Sequence, residues 1–152
     1  MTRLARDLRR FARGDDQAQA LIEFALVLPI FLLIVLGLID LSRAVWQENT
    51  LAYAAREGTR YAIVHGTGGS PVAFPGSHQE VKNVVRNAAF GVPNVTVTVT
   101  WPDLRGPTPC YERGCRVQVE ASAPFVPLPS QYLTGSIFQM TLRGGSVLVI
   151  QR

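Results

Sequence analysis

The sequence predicts an α+β fold, in which a long N-terminal helix packs on a small three-stranded antiparallel sheet and one short helix completes the domain. The prediction rests on an apolar run from Ala20 to Ile39, amphipathic helical spacing that continues to Val64, and three alternating segments in the C-terminal half. The chain has 152 residues, of which 47% are hydrophobic. These values fit one modest domain and a membrane segment.

The first 16 residues form a basic leader. Residues 1–14 contain five arginines and one acid, a net charge of +4, whereas the remainder holds ten basic and ten acidic residues. Because the excess positive charge lies in the leader, nucleic-acid binding loses its electrostatic basis. A basic segment directly before an apolar run predicts an N-terminus in the cytoplasm and the rest of the chain outside.

The long helix is predicted from Gln17 to Val64, about 72 Å at 1.5 Å per residue. Its transmembrane part covers about residues 20–39 and its amphipathic part residues 40–64. Pro29 removes one intrahelical hydrogen bond, so we expect a kink there. The stripe predicted to cover the sheet has mostly three- and four-residue spacings: Leu41, Ala44, Val45, Glu48, Leu51, Ala52, Ala55, Ala62 and Ile63.

A cleaved secretory signal is the alternative explanation of the leader and the apolar run. Ala52-Tyr53-Ala54 matches the small-residue form of a signal-peptidase site. It lies more than a dozen residues beyond Ile39, however, whereas such a site follows the apolar region almost directly. The spacing favours a retained helix.

A Gly/Pro-rich linker, residues 65–78, separates the long helix from an extracytoplasmic α/β domain, residues 79–152. This domain begins with a second helical pattern over Gln79–Phe90, which we predict to be a short helix.

Strict alternation predicts three strands in the rest of the domain, over Val95–Thr100, Val117–Ala123 and Phe138–Val149. In the first strand, valines would face the core and threonines the solvent. The pair Gly144-Gly145 predicts a bulge or break in the last strand. The amphipathic half of the long helix would cover the apolar face of the sheet.

Cys110 and Cys115 lie in the loop between the first two predicted strands. Outside the cytoplasm thiols oxidise, which favours a local disulfide. A redox or metal role is the alternative. The Cys-x4-Cys spacing is not that of a thioredoxin, and His65 and His78 lack the second cysteine pair that a zinc site would need. Both histidines are predicted to be solvated.

The sequence contains no motif that predicts an enzyme or a cofactor. No serine stands in a nucleophile elbow, HExxH is missing, and the glycines of the linker are not followed by the Lys-Ser/Thr of a phosphate loop. The charged run from Arg56 to Arg60 is predicted to be a solvated helix face.

Glu23 stands at the front of the apolar run. An ionised carboxylate in hydrocarbon costs on the order of 3 kcal/mol, so a membrane segment that retains one usually has a partner or a task for it. The alternative is that Glu23 lies at the level of the lipid headgroups, in early helical turns where the helix dipole favours an acid.

The chain resembles the TadE-like family in two runs of sequence. The first is QALIEFALVLP from Gln19 to Pro29, continued by LGLID to Asp40, and the second is AAREGTRYA from Ala54 to Ala62. Members of this family are pilin-like proteins of the bacterial tight-adherence (Tad) pilus, a branch of the type IV pilus and type II secretion systems. The resemblance is strong over residues 17–63, moderate in the strand pattern and absent over residues 64–93.

The resemblance implies a role for Glu23. In pilin-like proteins, a glutamate fifth in the mature chain pairs with the N-terminal amine of a neighbouring subunit. Such a position for Glu23 implies that a prepilin peptidase cuts between Ala18 and Gln19. The family's peptidase generally requires glycine before its cut, where this chain has alanine. An uncleaved chain would keep its leader and act as a membrane-held platform or minor component.

We therefore predict a minor pilin-like subunit (pseudopilin) that acts without catalysis, in assembly of a tight-adherence pilus or the related secretion system. Its expected location is the bacterial cytoplasmic membrane, crossed once, or a pilus into which the subunit is incorporated. Its expected partners are that membrane, other pilin-like subunits, the Tad assembly platform and a prepilin peptidase. The alternative function is a membrane-anchored extracytoplasmic binding or sensor module that belongs to no filament.

Overall fold

The computed structural model describes residues 4–65, 78–127 and 139–151, with the backbone alone for residues 4–17. The fold is α+β, as predicted. Its elements in chain order are α1 (Leu4–Val64), α2 (His78–Ala88), β1 (Thr96–Thr100), β2 (Leu104–Arg105), β3 (Thr108–Pro109), β4 (Arg116–Phe125) and β5 (Met140–Val149). Most of the predicted linker, and Phe138 of the last predicted strand, lie outside the described residues.

Helix α1 is 61 residues long and ends at Val64, as predicted. It begins at Leu4, so part of the predicted leader is already helical. The α-helix is uninterrupted at Pro29. At 1.5 Å per residue, α1 is about 90 Å long, which is enough to cross a membrane and extend well beyond it.

The main sheet has the strand order β1-β4-β5, and both neighbouring pairs are antiparallel. Val97 pairs with Ala121 in one ladder, and Ala121 pairs with Gly144 in the other. The register of β4 and β5 is continuous from Met140 to Val149. The bulge or break predicted at Gly144-Gly145 is therefore wrong, and the strand passes through both glycines.

The predicted alternation is present in the sheet. On β4, five side chains are buried on one face, and residues between them are partly or fully exposed: Val117, Val119, Ala121, Ala123 and Phe125 are the buried set. On β1, Val97 is buried while the threonines are exposed. This face packs against α1 and α2 and forms the core with them.

Two glycines mark where the helices and the sheet approach most closely. A Cβ added at Gly144 would lie 2.3 Å from the backbone nitrogen of Ala52, so β5 and α1 pack backbone against backbone. A Cβ added at Gly58 would lie 2.2 Å from a γ-methyl of Val85, on α2. Glycine at these positions thus sets the distance from α1 to both of its neighbours.

The buried face of α1 differs from the predicted stripe. Leu51, Ala55 and Ala62 are buried as predicted, but Leu41 and Val45 are 61% and 50% exposed. Polar and small residues take part in the buried face instead: Asp40, Gln47, Ala54, Gly58 and Thr59. Apolar periodicity alone therefore placed the boundary of this face incorrectly near the membrane segment.

Strand β5 follows α1 along its length. Met140 lines a cavity together with Leu41 and Ala44, whereas Ser146 lies within hydrogen-bonding distance of Thr59. Residue numbers thus rise together along α1 and β5, away from the apolar run. Helix α2 runs in the opposite direction, because Glu80 near its start contacts Tyr61 and Gly91 after its end contacts Trp46.

Candidate functional site

The candidate site is Glu23 on the exposed apolar part of α1. Its Oε1 accepts a hydrogen bond from Nε2 of Gln19, 3.1 Å away and one helical turn earlier. The surrounding side chains are apolar and exposed, among them Ile22, Phe24 and Val27. An amide donor supplies no positive charge, so the carboxylate still lacks a cationic partner among the described contacts.

The segment around Glu23 has the properties of a membrane span. Among the described residues, one helix, from Ala18 onward, is long and apolar enough to cross a membrane, and no residue of its most apolar stretch is buried. A soluble core helix would bury such a window, whereas lipid can cover it. The structure therefore fits a single-pass membrane protein with an acid near the start of the span.

Ala18 and Gln19 lie within α1, with both side chains exposed. Gln19 and Glu23 share one face because they are four residues apart in a helix. If residue 19 were the first of a mature chain, its amine would lie one turn from Glu23 of the same helix.

A second acid, Asp40, marks the end of the apolar run. Asp40 is buried, and its Oδ1 lies 3.5 Å from a guanidinium nitrogen of Arg43. That guanidinium also lies 5.7 Å from the centre of the Phe125 ring, at the end of β4. The ion pair thus attaches the sheet to α1 just beyond the apolar segment.

The run from Arg56 to Arg60 is only partly the solvated face that the sequence predicted. Both arginines are exposed, but Gly58 and Thr59 between them are fully buried. The Thr59 hydroxyl lies 2.7 Å from the carbonyl oxygen of Ala55 and 3.4 Å from that of Ser146. The centre of this run therefore joins α1 to β5.

A disulfide and an ion pair constrain the loop between β1 and β4. Cys110 and Cys115 form a disulfide, with their Cα atoms 5.9 Å apart. Asp103 accepts hydrogen bonds from the backbone and the guanidinium of Arg116, at 2.6 and 2.7 Å. Hydrogen bonds from Arg116 lower the pKa of the Asp103 carboxyl. Within this loop lies the hairpin of β2 and β3, which the sequence prediction missed.

Tyr61 and the two histidines lie at the end of the domain farthest from the apolar run. The Tyr61 hydroxyl donates to Glu80, 3.0 Å away, and its ring stacks on His65. Desolvation, followed by the contact with Glu80, raises the pKa of Tyr61. His78 is the first residue of α2, 6.4 Å from the Trp101 ring. Both histidines are partly exposed, so they are less solvated than the sequence predicted.

The part of the chain that the structure describes brings together no group of three or more His, Cys, Asp or Glu side chains able to hold a metal ion. With the two cysteines joined in a disulfide, the histidines also lack thiolate ligands nearby for a zinc site. The most distinctive chemical group of the described arrangement is the Glu23 carboxylate on an exposed apolar stretch of α1.

Comparison with protein families shows that residues 18–60 match the model of the family described as TadE-like protein. The match covers the apolar run with Glu23 and continues through Asp40 to Arg60. It confirms the predicted resemblance over the part of α1 that spans both the apolar segment and the contacts with the sheet. Curated proteins and solved structures gave no match to the chain.

Proposed function

We propose that the chain is a minor pilin-like subunit, a pseudopilin, in assembly of a tight-adherence pilus or its related secretion system. The TadE-like match over α1 supports association with such a pilus. The observation that carries the proposal is Glu23 on an exposed apolar stretch of α1 whose continuation forms part of the core of a small domain. The protein acts through contacts between subunits and not through catalysis.

Glu23 recruits a neighbouring subunit in this proposal. In a lone subunit its carboxylate lies among apolar side chains with an amide as its described partner, and the surrounding hydrocarbon makes its charge costly. The N-terminal amine of a mature neighbour would offset that cost and would do so only in the correct axial register. Specificity then comes from the penalty on wrong registers as well as from the favourable pair.

The amine in question arises when a prepilin peptidase cuts between Ala18 and Gln19. Other pilin-like subunits and the assembly platform in the cytoplasmic membrane would be the further partners. The N-terminus lies in the cytoplasm and the sheet domain outside, since the arginine-rich leader directly precedes the span.

Replacing Glu23 tests the proposal. Glu23→Gln keeps the size of the side chain and removes its charge, so pilus assembly should be lost while membrane insertion is retained or improved. The matched control is Glu48→Gln, which neutralises an exposed acid on the same helix beyond the span. Filaments would be quantified by shearing and immunoblotting, and insertion by alkaline carbonate extraction. Normal filament yield from Glu23→Gln would contradict the pilin function.

A second candidate function is a membrane-anchored extracytoplasmic binding or sensor module. Ala18 favours it, because alanine stands where the peptidase of this family generally requires glycine. Intact-mass analysis of the membrane-extracted protein, with and without a prepilin peptidase, separates the two. A new N-terminus at Gln19 supports the pilin route, whereas an intact Met1 supports the retained anchor.

A further inference from the structure

Exposed apolar side chains surround the end of the domain that is nearest to the apolar run. Phe90 is 84% exposed, and Met140 is 53% exposed at the first residue of β5. On α1, Leu41, Val45 and Trp46 are each at least half exposed as well. We call these five residues the basal cluster.

The tertiary contacts place the members of the basal cluster at one level of the fold. Met140 and Leu41 line a common cavity with Phe125. Phe90 precedes Gly91, whose missing side chain leaves room for the Trp46 ring: an added Cβ would lie 2.9 Å from it. The turn after α2, the start of β5 and the first turns of α1 beyond the apolar run therefore meet at the same end of the domain.

Distance along α1 places this level at the membrane surface. Leu41 and Trp46 follow Ile39 by two and seven residues, or about 3 and 10 Å along a helix. The headgroup region extends roughly 5–8 Å beyond the hydrocarbon on each side, so Leu41 lies within it and the backbone of Trp46 lies about 2–5 Å beyond it. Aromatic and aliphatic side chains at this depth are typical of segments that lie in the interface.

Charge at the base does not oppose contact with lipid. The acid in this region of α1, Asp40, is buried and lies beside Arg43, so each compensates the charge of the other. Arg43 and Trp46 also line a groove on α1 that begins at Val35, within the apolar run. Apolar side chains of the span thus continue along this groove, past Ser42 and Arg43, to Trp46 at the base of the domain.

We propose that the basal cluster docks on the outer surface of the bilayer that α1 crosses, with Phe90 and Met140 inserted among the lipid headgroups. The proposal rests on the membrane span in the proposed function but not on filament formation. Docking would hold the sheet domain against the membrane in the lone subunit. The occupant of this surface is lipid, because the cluster continues the lipid-facing part of the same helix.

Spin-label depth measurements on the full chain test this docking. Phe90→Cys and Met140→Cys would each carry a nitroxide, and the protein would be reconstituted in vesicles of phosphatidylcholine and phosphatidylglycerol. The native cysteines are joined in a disulfide and do not react under non-reducing conditions. Leu104→Cys is the matched control, since Leu104 is 71% exposed on β2, near the opposite end of the domain.

For each label, the measured quantity is the ratio of its collision rate with oxygen to its collision rate with a water-soluble nickel chelate. This ratio should be several-fold higher at positions 90 and 140 than at position 104. In the Met140→Cys background, Phe90→Ser should reduce that difference. Equal accessibility at all three positions, in protein that resists carbonate extraction, would overturn the docking alone. If the labels at 90 and 140 are protected from the nickel chelate only at high protein-to-lipid ratio, the surface contacts a second copy of the chain, and the lipid assignment is overturned. Extraction by carbonate would overturn the span and the docking together.

Discussion

Gly144→Ala is the substitution that tests the packing of α1 on the sheet most directly. The new methyl group would lie 2.3 Å from the nitrogen of Ala52 and 2.5 Å from the carbonyl carbon of Leu51. Both contacts are with backbone atoms, so no side-chain rotation relieves them. An ordinary van der Waals distance of 3.4 Å would require α1 and β5 to separate by about 1 Å.

Separation on that scale disturbs the whole interface between α1 and the sheet. Overpacking a well-packed core costs about 1–3 kcal/mol, and the upper end of that range applies where rigid backbone lies on both sides. For a domain of this size, 1 kcal/mol corresponds to roughly 4–8 °C in Tm, so we expect Gly144→Ala to lower Tm by about 12 °C or more.

Gly145→Ala is the matched control, because a Cβ at Gly145 would meet nothing within 4 Å. The adjacent methyl group should leave Tm unchanged or raise it slightly, since alanine reduces the entropy of the unfolded chain. Both variants would be purified as full chains in one detergent and followed by near-UV circular dichroism, in which the buried Trp101 reports on the core. Equal Tm values for the two variants would refute the close approach of α1 to β5.

Three further predictions concern the loop and the distal end of the domain. Arg116 lowers the pKa of Asp103, so this pair stabilises the domain above the ordinary aspartate pKa of about 3.9. The stabilisation is lost as pH falls through the lowered pKa. In urea titrations at acidic pH, wild type and Asp103→Asn should therefore have the same free energy of unfolding. Cys115→Ser opens a short loop and should reduce the free energy of unfolding by about 2 kcal/mol, a loss that reductant should reproduce in the wild type only. Tyr61 has a raised pKa, so its contribution to the stability of the domain is complete below pH 10.0 and is lost as pH rises through the raised pKa. Tyr61→Phe should remove this alkaline loss of stability, measured by circular dichroism against pH. An unchanged pH profile would exclude Tyr61 as the source of the loss.

Much of the sheet was predictable from local alternation. In β4 each buried side chain is two residues from the next, and in β1 the buried Val97 and the partly buried Val99 alternate with exposed threonines. Burial therefore follows the two-residue period of the strand. Alternation in β5 likewise identified the strand. It gave no means of recognising Gly144 as a packing site, because the reason for that glycine is the backbone of Leu51 and Ala52, about ninety residues earlier.

The interface between α1 and the sheet was also harder to predict than the strands. Near the apolar run, both lipid-facing and core-facing positions of α1 are apolar, so hydrophobic spacing does not distinguish them. Leu41 and Val45 were assigned to the core and are exposed, whereas the polar Gln47 is buried. The hairpin of β2 and β3 was missed because each strand has two residues, too few for any period to be visible.

The candidate site, in contrast to this interface, could be recognised from the sequence alone. Glu23 was recognisable from sequence because one acid in an apolar run stands out without knowledge of any tertiary contact. What the structure adds is the exposure of its surroundings and the amide of Gln19 one turn earlier. Its proposed partner belongs to another molecule, so that contact was suggested by the resemblance to the TadE-like family and by no contact within the chain.

A single continuous helix connects the proposed assembly site to the folded domain. Glu23 and Asp40 are 17 residues apart in α1, about 26 Å along the helix axis. The backbone of α1 is then held against β5 at Gly144 and against α2 at Gly58, with no room for sliding at either glycine. Residue 19 lies about 6 Å closer to the cytoplasm than Glu23, so pairing Glu23 with a neighbour's amine requires that neighbour to stand about 6 Å farther outward. That shift would lift the neighbour's sheet, and with it the neighbour's basal cluster, from the membrane. Docking of the domain on lipid and pairing of Glu23 would in this way oppose each other, so that assembly must supply enough favourable contact to remove Phe90 and Met140 from the headgroups.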